Sequence, residues 1–209
     1  MKFEDLKGFA FDLDGVIAEL ADKVGTTWTP ELQESLKGVG RMDSLELILK
    51  AGGHENDYTQ AEKDALAAEK NDNYLRLVET LTPADVLPGM QAFLDDIRAK
   101  GYQMVLASAS KNAPKVLKYL KLSDYFDGIV NPASVKHGKP APDIYIAAAE
   151  MMNLPVANVA GLEDAQAGVQ AINDAGELSI GIGAGLDDAD IRFDATKDVT
   201  LEAIKAQLD

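Results

Sequence analysis

Lys7-Gly8-Phe9-Ala10-Phe11-Asp12-Leu13-Asp14-Gly15-Val16 sets an apolar run directly before two carboxylates and a glycine. A short apolar run bounded by a turn signal reads as a buried strand. The two aspartates then stand at its carboxyl end, where open α/β sheets bind their ligands. The spacing suits phosphoryl chemistry: Asp12 can attack phosphorus and form an aspartyl phosphate, while Asp14, two residues on, leans toward the same site and can carry a proton. Gly15 lets the chain turn sharply into the next segment. The same residues also make an ordinary acidic turn capping a helix, so the choice between the two readings falls to the rest of the chain.

Beyond Pro88 the pattern alternates. Apolar periodicity predicts helices over 89–100, 114–120, 142–152 and 166–175, with strands over 102–107, 128–130, 156–162 and 178–182. Short apolar strands between helices imply a parallel sheet covered on both faces, an α/β class to which the strand over 7–11 also belongs. Between Ile17 and Pro88 the strands stop. Thr29-Pro30-Glu31 starts a helix, Asp43-Ser44-Leu45-Glu46 reads as a capping box opening a second, and a third spans 59–78. The organisation expected is therefore a core of residues 1–17 and 88–209 with a small helical domain, 18–87, inserted into it.

The chain has 209 residues, 46% hydrophobic and 26% charged, which is ordinary for a globular protein with a core and a small accessory domain. No apolar run approaches the ~20 residues needed to cross a bilayer, and Met1-Lys2-Phe3-Glu4-Asp5 lacks the apolar centre of a signal peptide. With no cysteine, disulfides, thiolate catalysis and Cys-based zinc sites are excluded, and a cytoplasmic location is the expectation. A formal charge of −15 disfavours nucleic acid as a partner. A small anion could still bind where basic groups are focused in a cleft. Solubility alone accounts for most of the acidic residues.

Further constellations stand at predicted strand ends. Leu106-Ala107-Ser108-Ala109-Ser110-Lys111-Asn112 brings hydroxyls, backbone N–H groups and a lysine to one loop, which suits a phosphate or, more plainly, a cluster capping the next helix. Lys139-Pro140-Ala141-Pro142-Asp143 puts a cation before a helix; it is either solvated or neutralises a transferring phosphoryl group. Gly161-Leu162-Glu163-Asp164 ends a buried strand in adjacent carboxylates, which are costly to bury unless paired or bound to a metal. Oxygen-only donors beside a phosphate favour Mg²⁺, with Asp12, the backbone carbonyl of Asp14 and Asp164 as ligands. In the insert, Leu36-Lys37-Gly38-Val39-Gly40-Arg41-Met42-Asp43-Ser44 joins a glycine turn to basic groups, and Arg41 could grip a phosphate bidentately. Lys70 lies on the long helix. His54 and His137 have no nucleophile partner at readable spacing.

Taken together, Asp12-x-Asp14, the Ser108 loop, Lys139-Pro140 and Glu163-Asp164 resemble, in order and placement, the haloacid dehalogenase superfamily of phosphotransferases. Within it the chain resembles the β-phosphoglucomutase family, over 11–17, 36–44, 70–74, 83–89, 107–112, 139–144 and 161–168. The resemblance implies a Rossmann-like core with a helical cap. It implies interconversion of β-D-glucose 1-phosphate and glucose 6-phosphate through a β-D-glucose 1,6-bisphosphate intermediate, with Mg²⁺ as cofactor. Asp12 would be nucleophile and metal ligand, and Asp14 the general acid/base and, through its carbonyl, a further ligand. Glu163 and Asp164 would complete the metal site. Ser108, Ala109 and Lys139 would hold the transferring phosphoryl group, and Arg41, Ser110, Lys111 and Asn112 the other phosphate. Lys37, Gly38, Ser44 and Lys70 would contact the sugar or line the cap face. Small-molecule sugar phosphates acting on a monomer, with neither nucleic acid nor membrane as partner, are the expectation.

One departure stands out. The family carries, between the nucleophile loop and the Leu-Lys-Gly turn, a longer helical segment with a hinge threonine and a histidine. Here Ile17 to Trp28 has no histidine, and it is shorter by about ten residues, roughly 15 Å if helical. Loss of most of one helix should expose the apolar face it covered and weaken the cap, with Trp28 available to fill part of the gap. A lid altered in this way favours hydrolysis or slow transfer over mutase turnover, so a sugar-phosphate phosphatase and a silent sugar-phosphate-binding protein stand as alternatives.

Overall fold

Phe9 and Phe11 join the apolar cluster on one face of the first strand and Ala10 the cluster on the other, the period-2 alternation of a strand covered on both sides. The computed structural model describes residues 1–12, 24–37 and 39–208. Its sheet consists of β1 (Gly8–Phe11), β2 (Gln103–Leu106), β3 (Gly128–Ile129), β4 (Val159–Glu163), β5 (Leu178–Ile182) and β6 (Ile191–Phe193). The order is β3-β2-β1-β4-β5-β6, and every neighbouring pair is parallel. The chain reverses its direction of travel across the sheet between β1 and β4, which opens a crevice at their carboxyl ends.

Helices cover both faces. On the Phe9 side lie α4 (Met90–Ala99), α5 (Ala113–Leu120) and α8 (Leu201–Leu208), contributing Phe93, Leu117 and Ile204 to a cluster with Leu106 and Ile180. Phe93 meets Phe9 edge to face, 5.7 Å between ring centres, a favoured aromatic geometry. On the Ala10 side lie α6 (Asp143–Met151) and α7 (Gln166–Ala175), which bury Tyr145, Ala148, Ala171 and Ile172.

Between β1 and β2 the chain forms α1 (Pro30–Ser35), α2 (Arg41–Gly52) and α3 (Gln60–Val78). These have an apolar cluster of their own, built on Leu32, Leu36, Leu45, Ile48, Leu49 and Ala67, with Trp28 packed half-buried against it. Thr59 and Glu62 close a reciprocal capping box at the start of α3, satisfying two N–H groups that the helix leaves unpaired. At its other end α3 reaches the α/β core through Tyr74 and Val78. An apolar cavity of about 440 Å³ lies there, lined by Tyr74, Leu77, Leu81, Met90 and Phe126 and extending to Asp12 and Asp164. Leu77 and Leu87 on its wall are 51% and 61% exposed.

Several boundaries differ from the sequence reading. The helix expected to open at the Asp43-to-Glu46 capping box already begins at Arg41. It is preceded by Gly40, whose extended backbone supplies the first acceptor without a side-chain cap: Ser44 N donates to Gly40 O at 2.8 Å. The strand expected from 156 begins at Val159, because Val156–Asn158 forms a 3-10 turn. β6 and α8 were not anticipated. Among the described residues no helix is long and apolar enough to cross a membrane.

Candidate active site

Strand register brings the distant motifs level. Phe11 pairs with Leu106 on one side and Leu162 on the other, so the residues that follow, Asp12, Ala107-Ser108 and Glu163-Asp164, leave the sheet side by side. Ala107 N donates to Phe11 O at 2.7 Å and Asp12 N to Leu162 O at 3.3 Å, extending the ladder by one bond on each side. Three strand-end signals dozens of residues apart thereby become one site.

Lys139 enters from the loop between β3 and α6. That loop is tied back where the His137 N–H and ring Nδ1 meet Asp143 Oδ1 at 3.1 and 3.2 Å, and the Lys139-Pro140 peptide is cis. The ammonium has no solvent exposure. It donates to Asp12 Oδ1 at 2.9 Å and to Glu163 Oε1, and it stands 5.0 Å from the centre of the Tyr145 ring. Burial works to lower its pKa, but the charges of Asp12 and Glu163 override this and push it up to about 12.

Glu163 is fully engaged. Oε1 accepts from Lys139 and from the Tyr145 hydroxyl at 3.0 Å, and Oε2 accepts from the backbone N–H groups of Asp164 and Ala165 at 3.0 and 3.1 Å. Four donors match the acceptor capacity of a carboxylate. Burial drives this carboxyl up, to about 7, against the pull of Lys139. The structure thus ties Glu163 to Lys139, and the same carboxylate also stands with Asp12 and Asp164 in the acidic group that the sequence reading expects at a metal.

Carboxylate oxygens of Asp12, Glu163 and Asp164 come within 4.8 Å of one another. Burial, then the charge of Asp12, raises the Asp164 pKa, while Lys37 from the insert lowers it. Three carboxylates facing the Lys139 ammonium, with Lys37 acting on Asp164, leave an excess of negative charge. The donors are all oxygen and Asp164 is solvent-accessible, so the set fits a hard divalent cation such as Mg²⁺. Asp12 and Asp164 would hold it, the first through the oxygen Lys139 does not take.

The Ser108 loop is folded on itself: Ser108 Oγ accepts from Ser110 N at 3.1 Å and Ser110 Oγ from Asn112 N at 3.2 Å. Ser108 is buried, Ala109 and Ser110 half-buried and Lys111 exposed. Asn112 Nδ2 donates to Asn71 Oδ1 on α3 at 2.7 Å, and Arg41 Nη2 donates to the same oxygen. The structure thus brings Arg41 and Asn112 together across the junction of insert and core. Asn71 makes that link and was missed. It sits in a polar helical run, Glu69-Lys70-Asn71-Asp72, where its amide carries no spacing signal. Lys70 is half-buried beside it, and Ser44 is buried with its hydroxyl on Val39 O at 3.3 Å. Asp14 and Gly38 lie outside the described residues.

Comparison with known proteins agrees with this geometry. Residues 6–176 match the model of the haloacid dehalogenase-like hydrolases. The chain belongs to that family. It is 40% identical over 212 residues to a β-phosphoglucomutase of Bacillus subtilis, covering 95% of this chain and 94% of the relative. A crystal structure of β-phosphoglucomutase from Clostridium difficile superposes with a TM-score of 0.91 at 38% identity, covering 97% of each chain. A phosphorylated-carbohydrate phosphatase of Thermotoga maritima is 27% identical over 184 residues, 82% of each chain. This haloacid dehalogenase-like protein is therefore an enzyme of the β-phosphoglucomutase type, with phosphatases among its relatives.

Proposed function

We propose that the chain is a Mg²⁺-dependent β-phosphoglucomutase of cytoplasmic location, interconverting β-D-glucose 1-phosphate and glucose 6-phosphate, with residues 18–87 acting as its cap. The observation that carries this reading is the buried Lys139 ammonium, 2.9 Å from Asp12 Oδ1, among three carboxylates at the carboxyl ends of β1 and β4. Asp12 attacks phosphorus, the phosphorus–oxygen bond to the departing sugar breaks, and Asp14 supplies the proton that the leaving oxygen takes up. Lys139, Ser108 and the Ala109 N–H orient the transferring group and offset its charge. Mg²⁺, when bound at Asp12 and Asp164, supplies further neutralisation of that group. Arg41, Ser110, Lys111 and Asn112 grip the other phosphate, and Lys37, Gly38, Ser44 and Lys70 meet the sugar. In the reverse direction the aspartyl phosphate passes its phosphoryl group to the free hydroxyl of a bound glucose monophosphate, Asp14 taking that hydroxyl's proton as the bond between Asp12 and phosphorus breaks; turning the resulting bisphosphate over then presents either phosphoryl group to the same aspartate.

A second reading, a sugar-phosphate phosphatase on the same aspartyl phosphate, is favoured by one observation. The alignment with the Bacillus relative runs over 212 positions although only 95% of this chain takes part, so some positions of that relative have no counterpart here. If they fall between Ile17 and Trp28, where the resemblance implies a longer helix, the lid lacks part of its cover and admits water to the phosphoenzyme. Incubation with Mg²⁺, β-D-glucose 1-phosphate and a trace of the 1,6-bisphosphate separates the two. Glucose 6-phosphate is the expected product; accumulation of inorganic phosphate in its place supports the phosphatase. Asp12→Ala abolishes either reaction, and turnover persisting in that variant excludes Asp12 as the nucleophile. Lys139→Ala lowers kcat by about 10²–10³-fold.

A further inference from the structure

We propose that Tyr145 is a positioning residue for phosphoryl transfer, holding the Lys139 ammonium against Asp12 through its hydroxyl on Glu163 and its ring beside the ammonium. The proposal rests on the reading of Lys139 given above. Tyr145 is fully buried in the first turn of α6. Its hydroxyl donates to Glu163 Oε1 at 3.0 Å, the oxygen that also takes Lys139, and its ring centre is 5.0 Å from Lys139 Nζ. Fully buried, with the negative charge of Glu163 beside it, the phenol has its pKa pushed well above the ordinary value, so it stays a donor.

The arrangement has a mechanical consequence. A lysine side chain has a compact charge on a flexible stem, and here two carboxylates compete for it. If Glu163 Oε1 lost the Tyr145 hydroxyl, it would have more capacity for the ammonium, which could then move toward Glu163 and away from Asp12. With the hydroxyl in place, Oε1 is shared and the ammonium spans both acids. The ring closes the remaining side with an attractive face, a cation–π contact that water cannot disturb at zero exposure. The hydroxyl of Tyr145 meets Glu163 and its ring meets Lys139, so its effect passes through those two groups.

Tyr145→Phe removes the hydroxyl and keeps the ring. The expected result is a kcat about tenfold lower with KM for β-D-glucose 1-phosphate within twofold of wild type, because the ammonium is misplaced for transfer while the other phosphate and sugar contacts persist. The direct readout is the protected ammonium correlation of Lys139 in ¹H–¹⁵N spectra of lysine-labelled protein. In the wild type it shows a nuclear Overhauser effect to the Tyr145 ring, and in Tyr145→Phe it shifts and broadens. A loss of packing alone would lower the thermal midpoint without altering that signal. An unchanged ammonium signal with kcat within twofold overturns the proposal. So does a wild-type spectrum without the effect to the Tyr145 ring, a measurement that needs no folded variant. If the wild type turns over no sugar phosphate, the functional reading fails, while the ammonium signal still decides the role of Tyr145.

Discussion

At the scale of single residues, Glu177 is the clearest unpaid cost in the molecule. It lies between Gly176, the left-handed cap of α7, and the start of β5. Both carboxylate oxygens are buried without a hydrogen-bond partner, and burial pushes its pKa from 4.5 up to about 9. The folded chain therefore keeps this proton across a range where the unfolded chain releases it. Stability then falls as pH rises from about 4.5 to about 9, since the native state binds more protons throughout that window. Glu177→Met removes both the orphaned polar group and the titration, and is expected to stabilise the protein by about 1–3 kcal/mol at neutral pH. Urea unfolding at two values, one near each end of the window, checks this. The gain is larger at the alkaline end, and an equal gain at both ends contradicts the assignment.

At the scale of elements, α7 is held against β4 by an approach that only glycine permits. A Cβ on Gly168, in the first turn of α7, would overlap the carboxylate of Glu163. Gly168→Ala should therefore displace the group that holds Lys139, costing about 1–3 kcal/mol of stability and lowering kcat by more than tenfold, with the same shift in the Lys139 ammonium signal as Tyr145→Phe. An alanine variant with wild-type kcat and stability would show that the helix simply slides. The course of α7 and β5 was legible in the sequence to the residue, because apolar periodicity of both kinds is interrupted there by a glycine stop. The three inputs to the site, Asp12, Lys139 and Glu163-Asp164, were legible too, since charged residues at the ends of apolar runs stand out. β6 was not, having only three residues, two of them buried. Nor was the start of α2, which is capped by backbone conformation at Gly40 rather than by a side chain. Tyr145 was hidden for a simpler reason: an aromatic residue in a helix reads as core, and its hydroxyl partner is 18 residues away.

At the scale of the whole molecule, the insert and the α/β core are unequal in what holds them. The sheet is buried between two apolar clusters that span all its faces. Among the described residues the insert relies on one small cluster, and α3, 19 residues long, buries only Ala67 and Val78. Its ties to the core include, among the described residues, the Tyr74 and Val78 contacts and the amide of Asn71, which joins Arg41 of α2 to Asn112 of the core. Opening free energy follows buried apolar contact, so amides of α2 should exchange through a partial opening well below the global unfolding free energy, while those of β1, β4 and β5 exchange only with it. Asn71→Ala removes the acceptor shared by Arg41 and Asn112. It is expected to speed exchange in α2 and α3 severalfold, leave the strands unchanged, and raise KM more than it lowers kcat, since the two groups proposed to grip the non-transferring phosphate lose their common anchor. Native-state hydrogen exchange with and without the substitution measures this. Equal protection of insert and core in the wild type would mean that the small cluster of the insert is as stable as the sheet, and that the insert lacks the opening independent of the core that its proposed role as a cap requires.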